Sequence, residues 1–537
     1  MTPNDGLPAW MLDKGTPTEV KVTGVPRRPV EDPRLGIDVG ETAEDTPRHR
    51  LVTIGDSLTH GFQSGAIYNT SISYPAIIAH ELGWFDHFRY PGYFGQGGLP
   101  LNLEFLIREL EHEFGDKLNW WELPRAPFLV RQFLARVEDW WERGLGTEVA
   151  QLSGINHNLG IYGWDLRDTL DLTSDVLQEN LGSSRDYPFW TIVENANERA
   201  ALRVLRSAYD ESDEALTPLG AAAALGREGT IENPDDGDGI ETLIVMLGAN
   251  NALPSVVQLK VKWSEEPGYR RLKEKKLYTV WNPEHFQNEL KELVQEVKHI
   301  KARHVIWGTV PHVTIAPIAR GVGSKIMNGS RYFDFYTRPW ISDRDFDPDD
   351  DRRITGQQAL AIDSAIDQYN YAITEAVSDA RNEGRDWLLF DVAGLLDRLA
   401  ARRYIEDPGA RPEWWSPYKL PAEVEALSPV PNSRFFESGP KGRTDGGLFS
   451  LDGVHPTTIG YGILAQELIN VMQQHAGVKF YRGDGRTVRT GPVRVDFQRL
   501  LELDTLISNP PRSLTSGMHL IGWIDRTLDG IMGRFLL

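Results

Sequence analysis

Five apolar runs of strand length, amphipathic helical stretches between them, and small-residue turns placed directly after the runs predict an open α/β fold. None of the runs alternates cleanly between apolar and polar residues. Unbroken aliphatic and β-branched runs suit strands covered on both faces, the condition of a parallel sheet held between two helix layers.

Taken in order, residues 1–48 are dense in proline, glycine and acids, show no period, and read as an extended arm on the surface or partly disordered, outside the catalytic core. The first run, Leu51–Ile54, follows, and then Ile155–Ile161, Leu243–Leu247, Val305–Val310 and Leu388–Val392. In "PEHFQNELKELVQEVKHIKA" the residues Phe286, Leu290, Leu293, Val294, Val297 and Ile300 form one helical stripe able to cover a sheet face. "GQQALAIDSAIDQYNYAITEAV" repeats the pattern with Ile362, Ile366, Tyr369, Ile373 and Val377, and "GYGILAQELINVMQQHAG" gives a last helix stopped by Gly477. Three stretches exceed ordinary connection length, near 85–150, 320–355 and 403–447, and read as insertions on a core domain spanning 49–476. Residues 477–537 form a separate tail. Its end, "MHLIGWIDRTLDGIMGRFLL", reads as an amphipathic helix that docks on the body, because its polar face lacks the Lys/Arg cluster of a membrane-surface helix.

The 537 residues carry a net charge of −20, which would repel phosphate backbones and anionic membranes, and no long basic run offsets it, so nucleic acid is not an expected partner. The absence of cysteine removes disulfides, thiolate nucleophiles and Cys-ligated metal centres. No apolar segment is long enough to span a bilayer, and the first residues lack a secretion signal's basic start and apolar stretch. The default location is cytoplasmic, with secretion open if the chain is a mature form; the oligomeric state is left open.

In an open α/β sheet the site lies beyond the carboxyl ends of the strands. After the first run stands Gly55-Asp56-Ser57, after the second Gly163 in "NLGIYGWD", and after the third Asn250 in "LIVMLGANN"; "SLDGVHPTTIGYG", before the last helix, holds Asp452 and His455. A serine hydroxyl needs a base within hydrogen-bond reach to act as a nucleophile, and His455 can supply one. Asp452, three residues earlier, would orient the imidazole and stabilise its protonated form. The N–H groups of Ser57 and Gly163 and the amide of Asn250 are candidate donors to an oxyanion. Asp56 reads instead as a hydrogen-bond acceptor that fixes the loop.

These four blocks, GDSL at Ser57, N-L-x-x-x-G at Gly163, G-x-N at Asn250 and D-x-x-H at Asp452 and His455, resemble the GDSL or SGNH hydrolases. The resemblance covers residues 50 to 475, and "GTVPHVTIAP" after the fourth run looks like that family's Val-Pro loop. It implies a three-layer αβα sandwich, flavodoxin-like, with a five-stranded parallel sheet. It also implies esterase or lipase activity toward a small-molecule or lipid ester, without metal or cofactor. In that reading Ser57 is the nucleophile and an oxyanion donor, Gly163 and Asn250 are the further donors, and His455 and Asp452 complete the triad. Asn251 departs from the family's usual Asp, and the long separation of Ser57 from Gly163 implies a pocket reshaped by the 85–150 insertion. The alternative from another class is a carbohydrate- or lipid-binding protein on the same scaffold without turnover.

Other candidates have bland readings. His80 and His112 each precede Glu, but neither begins H-E-x-x-H. The acidic loop 233–241 lacks EF-hand spacing and reads as solvated, as does 347–353. The pairs Trp120–Trp121, Trp140–Trp141 and Trp414–Trp415 could line an acyl or sugar pocket, but packing of the insertions onto the core is the expected role.

Overall fold

The structure, a computed structural model, describes residues 7–40, 45–115, 125–148, 154–182, 193–234, 236–483 and 485–512, together with 514 and 522. The expected C-terminal helix, apart from Gly522, and the pair Trp120–Trp121 lie outside the described residues.

The chain is α/β, built on a five-stranded parallel sheet. Its strands are β1 (His49–Gly55), β2 (Asn158–Gly160), β3 (Ile240–Met246), β4 (Ala302–Gly308) and β5 (Trp387–Phe390), in the order β5-β4-β3-β1-β2. Each strand comes from one of the five apolar runs, with shifted ends. Ile155–His157 fall outside β2, where Asn156 Nδ2 is drawn to the Val204 carbonyl at 2.8 Å. Val310 leaves β4 because the Asn370 side chain binds both its N–H (2.7 Å) and its carbonyl (2.9 Å). Val392 opens a helix rather than closing β5, since Asp391 caps that helix through the Gly394 N–H.

The missing alternation has a direct cause: successive strand residues enter two different cores. Val52 and Ile54, Leu243 and Val245, Val305 and Trp307, and Trp387 and Leu389 point to one layer; Leu51, Ile244, Ile306 and Leu388 point to the other. The first layer contains the helices Pro283–Lys298 and Gly356–Asn382, and the second contains Tyr74–Glu81 and Thr458–Gln474. Burying each such side chain contributes about 1.5–3 kcal/mol, so both faces favour the same sandwich. The stripes expected on the 283 and 356 helices are buried: Phe286, Leu290, Leu293, Val294, Val297, and Ile362, Ile366, Tyr369, Ile373, Val377.

Additions wrap this core. Met11, Val20 and Val22 of the N-terminal segment are buried, and Pro33 accepts a hydrogen bond from Leu389 N at 2.9 Å, covering the outer edge of β5. Residues 320–355 form a small antiparallel sheet from Arg320–Lys325, Phe333–Thr337 and Ile354–Thr355. Val478, Phe480, Val493, Val495, Phe497 and Leu500 pack back on the Thr458–Gln474 helix. Among the described residues no helix is long and apolar enough to cross a membrane.

Candidate active site

β1 lies between β2 and β3, and Gly55, Gly160 and Met246 stand level in register. The chain leaves β1 for one side and later returns to the other, so a crevice opens at the carboxyl end of β1. Ser57 sits there, with the loop of Gly163 on one side and that of Asn250 on the other.

Ser57 opens a single-turn helix, α1 (Ser57–His60), capped by Asp56, whose Oδ1 accepts from Leu58 N at 3.1 Å. The turn from β1 is sharp: a Cβ at Gly55 would lie 2.0 Å from Thr59 Oγ1, which explains glycine at that position. As a first-turn residue, Ser57 keeps its N–H outside the helix's own bonding.

Ser57 Oγ lies 2.8 Å from His455 Nε2, and His455 Nδ1 lies 3.1 Å from Asp452 Oδ2. A carboxylate only accepts, so Nδ1 carries the proton toward Asp452 and Nε2 is free to accept from the serine hydroxyl. Asp452 is fully engaged: Oδ1 accepts from Val454 N and His455 N, both at 2.8 Å, and Oδ2 accepts from Gly65 N at 2.9 Å as well as from His455. Burial acts to raise its pKa, but His455 and these N–H groups outweigh it and hold the carboxyl below its ordinary value of 3.8. Asp56 goes the other way, pushed up to about 6 by burial. The imidazole of His455 is backed by the Phe62 ring, with centroids 4.5 Å apart.

The two flanking loops are tied to this centre. Asn250 Nδ2 donates to the Trp164 carbonyl at 2.8 Å, bringing the third strand's loop against the second's. Its second amide hydrogen remains for a ligand. Gly163, at φ +74°, has no intramolecular partner for its N–H among the described residues. Lys275 fixes the next turn through Asp165 and Asp168 (2.7 Å to the latter).

Several site residues carry no signal readable in sequence. His60 Nδ1 accepts from Tyr162 N at 3.2 Å and its Nε2 meets Tyr93 Oη at 2.8 Å, so the histidine that closes the same turn as Ser57 holds the Gly163 loop to α1. Burial drives its pKa down to about 3, which keeps it neutral for that role. Gly65, at φ +83°, gives its N–H to Asp452 where a Cβ would strike the Leu101 carbonyl at 2.6 Å. The Val-Pro loop is fixed by Asn370 and by His312, which bridges Asp367 (3.0 Å) and Asp397 (3.2 Å).

Ser57 and His455 open into an apolar cleft of about 90 Å³, walled by Leu58, Leu247, Leu253, Val310, Val313 and Phe449. No described tryptophan lines it. Trp141 is buried with its Nε1 on Gly98 O (2.8 Å), Trp140 bonds Phe94 O (3.1 Å), and Trp415 bonds Asp397 O (2.9 Å), so these side chains anchor the additions instead. Compared with known proteins, the chain matches no family model and no curated protein.

Proposed function

We propose that the chain is a serine ester hydrolase of the GDSL or SGNH type that works through an acyl-enzyme on Ser57. The observation that carries this reading is the continuous relay Ser57 Oγ, His455, Asp452 at the mouth of an apolar cleft. Ser57 Oγ attacks the ester carbonyl while His455 Nε2 takes its proton; the developing oxyanion is met by the N–H groups of Ser57 and Gly163 and the amide of Asn250. His455 then returns the proton to the departing alcohol. Water attacks the acyl-enzyme with His455 again as base, and the acid leaves.

The cleft is smaller than the roughly 150 Å³ cavity that admits a benzene ring, which favours short acyl groups over long ones. With nitrophenyl esters of graded length, kcat/KM is expected to stop rising beyond about butyryl, whereas a site that housed each further methylene would gain about 0.8 kcal/mol, roughly fourfold, per step. Ser57→Ala should abolish turnover, and a fluorophosphonate should label the wild-type protein at Ser57 alone. Undiminished hydrolysis by Ser57→Ala, or no labelling, would sink the reading; the second result would leave a binding protein on this scaffold.

A further inference from the structure

Behind the cleft lies a second cavity of about 90 Å³. The two share a wall: in segment 313–319, Val313 and Ala316 line the cleft, whereas Thr314, Ile315, Pro317 and Ala319 line the second cavity. That wall is fastened to the Asp452–His455 turn by Ile318 N on Gly453 O at 2.9 Å.

Guanidinium groups dominate the lining, from Arg320, Arg331, Arg402, Arg403 and Arg434. Three of them meet a carboxylate, and Arg331 meets a phenol. Arg403 meets Asp363 (2.7 Å), Arg331 meets Tyr332 Oη (2.9 Å), Arg434 forks onto Glu406 (2.6 and 2.7 Å), and Arg320 pairs with Asp343. Arg402 is different. Its Nη2 donates to Gly321 O at 2.8 Å and its face lies 5.0 Å from the Phe333 ring centroid; its Nε, like that of Arg320, is buried without a partner. It has no ion pair among the described residues, where no carboxylate stands within 4 Å of it. Burial, and then the charges of Arg320 and Arg434, pull its pKa down, against the opposing pull of Glu406 and Asp343. A half-buried guanidinium with no carboxylate in reach retains donors that an anion could take.

Two carboxylates also face the cavity. Asp445 is taken up by Asn432 Nδ2 and Gly446 N, both at 2.8 Å, and Glu437 is pushed up in pKa by burial and by Asp445. Neither reaches Arg402.

We propose that this cavity binds the phosphoryl group of a small phosphorylated compound, with Arg402 as its principal ligand. A tetrahedral dianion offers oxygens in several directions, which suits guanidinium groups converging from separate segments better than a planar carboxylate does. Phe435 lines the space beside the carbon body, and the volume excludes a bulky or long-chain ligand. The assignment is independent of whether Ser57 hydrolyses an ester.

Calorimetric titration of the full chain at constant ionic strength tests it, with methyl phosphate, inorganic phosphate and acetate as probes. Saturable binding of both phosphates is expected, with acetate at least about tenfold weaker. Arg402→Gln should weaken phosphate at least about tenfold, the loss of a charge-assisted pair, while Glu437→Gln should tighten it and Ser57→Ala leave it unchanged. Should Arg402→Gln fail to fold, phenylglyoxal modification of the wild-type protein, mapped by mass spectrometry, replaces it: phosphate should slow reaction at Arg402 and not at the exposed Arg143. Absence of saturable binding, equal affinity for acetate, binding untouched by Arg402→Gln, or no protection of Arg402 each overturns the proposal.

Discussion

Two carboxylates compete for the role of partner to His455, and their hydrogen bonds separate them. Asp452 spends one oxygen on the imidazole and steadies the rest of the carboxylate with three backbone N–H groups; Asp56 faces the Leu58 N–H as a cap. In Asp452→Asn an amide NH₂ facing Nδ1 would favour the tautomer that cannot accept from Ser57, so kcat should fall about 10³- to 10⁴-fold. Asp56→Asn retains an oxygen able to cap and should stay within about tenfold of wild type. Steady-state kinetics on a short-chain ester decides between them, and an equal loss in both variants would contradict Asp452 as the partner. Their signs with pH also differ. The depressed pKa of Asp452 adds stability present above 3.8 and lost as pH falls through its folded value; Asp56, raised to about 6, disfavours the folded state as pH climbs from 3.8 past about 6.

At the level of elements, the Val-Pro loop owes its position to a charged bridge. His312 joins Asp367 on the Gly356–Asn382 helix to Asp397 on the Val392–Leu399 helix, with Arg403 and Asp363 beside them. Burial acts to lower the His312 pKa, but Asp397, Asp363 and Asp367 together lift it to about 10. The folded value lies above the ordinary 6.5, so this bridge contributes fully below pH 6.5 and its contribution is lost as pH rises toward about 10. His312→Asn removes the cation and leaves two buried carboxylates short of a partner, a loss of about 3–5 kcal/mol at neutral pH. Thermal unfolding from pH 6 to 10 should show a falling Tm in wild type and a lower, flatter profile in the variant. Parallel profiles would show that the bridge does not titrate as described. None of this is readable from "GTVPHVTIAP" alone, because the partners lie some 55 and 85 residues onward and sit among apolar stripe residues that announce only a helix.

For the whole molecule, what was legible follows from what is local. The five strands could be read because each side chain in a doubly covered strand is apolar, and the residues of the relay because each follows a strand or precedes a helix at short range. His60, Gly65 and Asn370 act through backbone groups brought near by folding, and nothing in their neighbourhood along the chain marks that. The N-terminal segment shows the same limit. Its proline-rich composition suits an arm on the surface or partial disorder, yet Met11, Val20 and Val22 are buried, Thr23 N bonds Ser364 Oγ (3.2 Å), and Arg27 pairs with Asp391 and Asp367. Its position gives it a further task. β5 is an outer strand, and an uncovered strand edge is a template for pairing with another chain. Pro33 takes the Leu389 N–H there, and a proline has no N–H with which to extend the pairing outward. Deleting residues 1–40 should therefore lower Tm and also promote self-association, two effects with different causes. Arg27→Ala should produce only the first, by taking the guanidinium away from buried Asp391 and Asp367 while leaving Pro33 on the edge. Calorimetry with sedimentation velocity separates them: a truncated chain that is destabilised but strictly no more associated than the full chain would show that the segment stabilises the body without guarding the edge.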